Sequence, residues 1–114
     1  MDIPTLATSL TALSAGNLGL VLAKMRDARD ALQTQIVAAL DEDPPADATG
    51  LSNDFALVNA WIRTLEAAVQ PSPPANADTD LLQAMQIADA ASANSAAVGG
   101  LLASVDGLVK SFAA

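Results

Sequence analysis

The sequence predicts an all-α fold: three main helices, packed as an antiparallel helical bundle or an extended helical hairpin, with a short extra N-terminal helix. Three observations carry this expectation. Apolar residues recur at steps of three and four through most of the chain. Two proline-rich runs, Asp41–Gly50 and Pro71–Asp78, cut that pattern into pieces, because proline lacks the amide donor and clashes with the preceding turn. No stretch alternates with period two or gathers β-branched and aromatic residues, so no strand is predicted.

A chain of 114 residues suits one domain. Within it, residues 1–17 form an N-terminal segment in which Pro4–Ser14 is a short helix with Leu6, Leu10 and Leu13 on one face. Gly16-Asn17-Leu18-Gly19 is the expected break or kink, since each glycine costs a helix about 1 kcal/mol relative to alanine. Residues 18–40 form the next helix, with Leu18, Val21, Leu22, Met25, Leu32, Ile36 and Leu40 along its seam. Whether Leu6–Leu40 is one kinked helix or two is left open by the pattern. An acidic, proline-rich loop follows at 41–51.

Residues 52–70 read most cleanly. Leu51, Phe55, Val58, Ile62, Leu65 and Val69 step 4-3-4-3-4, a heptad seam. Ser52 is the expected N-cap, and Pro71 ends the helix. After the loop at 71–78, a long helix is expected over 79–113 with Asp78 as its N-cap. Its seam opens at Leu81, is small in the middle (Ala88–Ala97) and large at the end (Val98, Leu102, Val105, Val109, Phe112). If straight it is roughly 50 Å long, so it must overhang its partner, bend, or break at Gly99-Gly100.

Composition excludes more functions than it suggests. The chain has no His, Cys or Tyr, which removes the commonest general base, the thiolate nucleophile and the usual activator of a serine. No enzyme activity is expected, and no cofactor. Thirteen acids against five bases give a net charge of −8. Lys24, Arg26 and Arg29 are interleaved with Asp27 and Asp30, so no cationic cluster is available to displace phosphate counterions, and nucleic acid is not an expected partner.

Asp41, Glu42, Asp43 and Asp47 are the best metal candidates, but a calcium loop starting at Asp41 would need Gly at Ala46 and Glu at Ser52. Asn76-Ala-Asp78-Thr-Asp80 fails in the same way at Leu81 and Ile87. No metal site and no small-molecule ligand are therefore expected. Ile3–Ala23 is uncharged, yet it is preceded by acidic Asp2 where a signal peptide is basic, and it holds Pro, Asn and Gly. No cleavable signal and no stable membrane span are expected; a cytoplasmic protein, or one exported without such a signal, fits. The Ala- and Leu-rich, Lys-poor usage is typical of GC-rich bacteria or their phages.

The remaining signal lies in helix seams. Trp61 reads either as core or as an anchor in a protein–protein interface. Val98, Leu102, Val105, Val109 and Phe112 carry more apolar surface than a short second helix covers. Either the first and third helices cover each other, or further copies or another helical protein do; the second reading is favoured, because large apolar patches usually mark contacts. The expected function is thus a non-enzymatic structural or assembly subunit acting through helix–helix contacts, with itself (homo-oligomer or filament) or another helical protein as partner. The alternative is an acidic adaptor, chaperone or inhibitor of a basic protein.

The last third, from Leu81-Leu-Gln-Ala-Met-Gln through Val98 to Val105-Asp-Gly-Leu-Val-Lys, resembles the C-terminal helix of inner-rod subunits of bacterial type III secretion systems. The resemblance covers about 30 residues and consists of apolar spacing. It implies a rod-like subunit of a secretion apparatus, and it does not extend to the two well-patterned helices before it.

Overall fold

The computed structural model describes residues 2–113 and is all-helical among them, with five helices where the sequence suggests four. Helix α1 spans Ile3–Thr11, α2 Ala15–Leu40, α3 Thr49–Ala68, α4 Ala77–Ser92 and α5 Ala96–Ala113.

Helix α1 starts where Asp2 accepts hydrogen bonds from the Thr5 amide (3.3 Å) and hydroxyl (2.8 Å), with Pro4 in the first turn. Its stripe of Ile3, Leu6, Ala7 and Leu10 is buried. The Leu6–Leu40 stretch is two helices, and the break falls at Ala12–Ser14 rather than at Gly16–Gly19. Capping explains the position. The Ser14 hydroxyl accepts from the Asn17 amide at 3.3 Å, and both glycines ride inside the first turns of α2.

Helix α3 begins three residues before the expected Ser52 cap. Asp47 reaches forward to the Thr49 amide (2.9 Å) and hydroxyl (2.7 Å), so the carboxylate holds the helix start instead. The α4 start is also displaced: Ala77 is already helical, and Asp78 lies with Asp80 in the first turn, where carboxylates complement the helix dipole.

The continuous 79–113 helix is absent. It divides at Ala93–Ser95, four residues ahead of the glycine pair. Ser95 accepts from the Val98 amide (3.2 Å) and donates to the Asp54 carboxylate on α3 (2.8 Å). One hydroxyl therefore caps α5 and ties the turn to a neighbouring helix. Gly99 sits against that turn, with its Cβ direction 3.5 Å from the Ser92 Cβ.

The turn reverses the chain. Ser95 lies beside the start of α3, whereas Val109 and Phe112 share a depression with Ser14 and Asn17 at the start of α2. Helix α5 thus runs antiparallel to α2. Contacts link α2 to α3, α3 to α4, α4 to α5 and α5 back to α2, with α1 packed mainly on α4. The result is a closed ring of four helices with a fifth alongside, 47 Å in its longest dimension.

The core runs along this ring: Leu10 from α1; Val21 and Met25 from α2; Val58, Trp61, Ile62 and Leu65 from α3; Leu81 and Met85 from α4; Val98, Leu102 and Val105 from α5. Among the described residues, none that is fully buried is polar or charged by type. Each large aliphatic side chain removed from water contributes about 1.5–3 kcal/mol, so a core built without aromatics beyond Trp61 rests on the number of helices that meet.

Candidate interaction surface

The structure places the residues singled out by sequence inside this one chain. Trp61 is 0% exposed, and Val98, Leu102, Val105 and Val109 are buried beside it in the same core cluster. Phe112 is half-buried at the rim. The reversal at Ala93–Ser95 is the physical reason. It folds the large-residue seam of α5 back onto the bundle, so α5 and α2 cover each other and these side chains face their own helices. The apolar excess that favoured an external partner is taken up within the chain at these positions.

Other apolar groups stay outside. Leu20 is 55% exposed, Val37 52%, Leu40 55% and Ile87 55%. Their surroundings differ. Ile87 stands on α4, which carries Asp78, Asp80 and Asp89 and no base. Val37 and Leu40 stand on the last turns of α2, between Asp30 and the run Asp41-Glu42-Asp43. Leu20 stands at the mouth of an open groove of about 590 Å³ between α2 and α5. Small or apolar residues line it, among them Ala23, Ala28, Ala97, Gly100 and Leu101, and its charged residues are Lys24 and Asp27. The groove therefore carries no net charge on a chain whose total is −8.

Ion pairs elsewhere leave that rim untouched. Arg26 reaches across to Glu66 on α3 (2.7 Å), Arg29 approaches Asp30 (3.6 Å), and Lys110 pairs with Asp106 (2.8 Å). The last is the favourable i,i+4 arrangement visible in the sequence. Arg26 prefers Glu66 to Asp30, its i,i+4 neighbour. Among the described residues, Lys24 and Asp27 enter no ion pair.

The carboxylates of the first loop do not converge: among the described residues no three potential ligands gather around one point. Asp47 is engaged by Thr49, whose hydroxyl and then amide hold its carboxyl below the ordinary range. Thr5 does the same to Asp2. Asn76 donates to Asp80 at 3.3 Å, which ties the second candidate sequence into the start of α4. One polar atom in the core stands alone, the Trp61 Nε1, which has no hydrogen-bond partner among the described residues. Among the described residues no helix is long and apolar enough to cross a membrane.

The α2–α5 face escapes the sequence pattern because its stripe is not apolar. Leu20, Lys24, Asp27 and Ala31 step 4-3-4, but only one of the four is a large hydrophobe. The neighbouring stripe, Leu18–Val21–Leu22–Met25, dominates the pattern and is the one buried. No protein-family model, curated protein or solved structure matches the chain.

Proposed function

We propose that the protein is a non-enzymatic helical assembly subunit that works through helix–helix contacts, with another copy or another helical protein as partner. The α2–α5 groove is the observation that supports it. An exposed leucine stands beside small residues, which permit close approach of a further helix, and the net charge there is zero. Light scattering after size exclusion, over roughly a hundredfold range of concentration, tests the reading, because mass action shifts any self-association across such a range. Mass rising to a defined oligomer supports self-assembly, and growth without limit supports the filament or rod-like form. A constant monomer mass at every concentration refutes self-assembly.

A second reading rests on the free end of α2. There exposed Val37 shares a depression with Asp30 and Asp41, exposed Leu40 is followed in sequence by Asp41-Glu42-Asp43, and the last turn of the helix has no base. An acidic apolar tip of this kind suits a basic amphipathic partner, as an adaptor, chaperone or inhibitor would require. Capture of a basic amphipathic peptide that weakens steeply with salt is the expected result; salt-insensitive capture, or none, counts against it.

A further inference from the structure

Resting on the assembly reading, we propose that the partner is a second copy of this chain, docked by its own α2 across a two-fold axis that passes between Met25 and Arg26. The exposed stripe of α2 runs Leu20, Lys24, Asp27, Ala31. A two-fold axis at that point sets the two α2 helices antiparallel. Lys24 then faces the partner's Asp27, and Asp27 faces the partner's Lys24, giving two opposite-charge contacts from one pair of residues. A two-fold interface requires such self-complementarity, since the same patch meets itself.

The flanking residues fit the same register. Leu20 falls on the partner's Ala31, a side chain small enough to leave it room. Ala23 flanks the stripe on one side and Ala28 on the other, and both are small enough to let the backbones approach closely. On the far side of the groove, Ala97, Gly100 and Ser104 of α5 are small, while Leu101 and Leu108 add apolar surface to its wall. Lys24 and Asp27 are exposed and enter no ion pair among the described residues, so both are available. The other exposed large hydrophobes lie near acids, where self-docking would set carboxylate against carboxylate.

Charge exchange tests the pairing without touching the core. Lys24→Glu sets a carboxylate against the partner's Asp27, and Asp27→Lys sets an ammonium against the partner's Lys24. Each variant alone is expected to self-associate about tenfold more weakly than the native chain, or worse, because like charges are juxtaposed twice. An equimolar mixture of the two variants restores an opposite-charge match at both contacts and is expected to return to twice the monomer mass of 11.5 kDa. In that mixed pair the lysines of one chain meet the acids of the other. Far-UV circular dichroism of each variant verifies that the fold is kept.

If the native chain associates but neither variant changes its mass, the α2 face is not the interface and the proposal falls while the assembly reading stands. If each variant dissociates but the mixture does not recover, the antiparallel register is wrong. If the native chain is monomeric throughout, this proposal and self-assembly fall together.

Discussion

Replacing Trp61 with phenylalanine is expected to leave stability within about 1 kcal/mol of the native value, although the residue is the largest in the core. Two effects oppose each other. Phenylalanine is smaller by roughly 40 Å³, which at about 24 cal/mol per Å³ of cavity costs about 1 kcal/mol. It also gives up roughly 40 Å² of buried apolar surface, about 1 kcal/mol more at ~25 cal/mol per Å². Against this, the indole Nε1 is buried with no acceptor among the described residues. An N–H in that state costs about 1–3 kcal/mol, and phenylalanine removes it. Trp61→Ala loses far more volume than that relief offsets and is expected to cost about 3–5 kcal/mol.

Urea unfolding followed by far-UV circular dichroism measures both variants, since neither keeps a tryptophan to report. Protein concentration is held fixed and low, so that self-association does not enter the comparison. A loss above about 3 kcal/mol for Trp61→Phe refutes the reasoning. It would mean that Nε1 is satisfied in solution, by a buried water or by a shifted carbonyl.

Three further outcomes follow from local geometry. Ser95→Ala removes both the α5 cap and the tie to Asp54, so a loss of about 1–2 kcal/mol is expected by thermal denaturation; Ser95→Thr, which keeps the hydroxyl, should recover most of it. Gly107→Ala meets nothing within 4 Å and should stabilise α5 by about 0.5–1 kcal/mol, read as a higher melting temperature. Asp47 has its carboxyl pKa lowered in the fold by Thr49, so its contribution is present above the unfolded-state value of about 3.9 and is lost as pH falls through the lower folded value. The melting temperature of Asp47→Asn should therefore fall less steeply than that of the native chain below about pH 4, and parallel acid curves would contradict this.

The helical class, the proline-rich punctuation and most of the core are legible in the sequence. Leu18, Val21, Leu22, Met25, Val58, Ile62, Leu65, Leu81, Ala88, Val98, Leu102, Val105 and Val109 all fall on predicted seams, and all are buried. Threes-and-fours spacing reports which face of a helix avoids water, and that information is local. Helix ends are less legible. Asp47 competes with Ser52 as a start signal, and Ser14 rather than Gly16–Gly19 marks the break before α2; the outcome depends on which backbone amide each side chain reaches.

What only the tertiary structure decided is what each seam faces. The spacing from Leu81 to Phe112 is equally compatible with one long helix and with two joined at Ser95, because a short turn hardly disturbs the count. The choice is made at a distance, by burial of Val98, Leu102 and Val105 against the other helices, with the hydrogen bond from Ser95 to Asp54, forty-one residues earlier in the chain, fixing the turn. That packing returns α5 to α2, closes the ring, encloses Trp61 and turns Val98, Leu102 and Val105 inward. It also leaves the Leu20–Lys24–Asp27–Ala31 stripe outside. A sequence specifies which residues need cover; only the path of the chain through space determines which of them it covers itself.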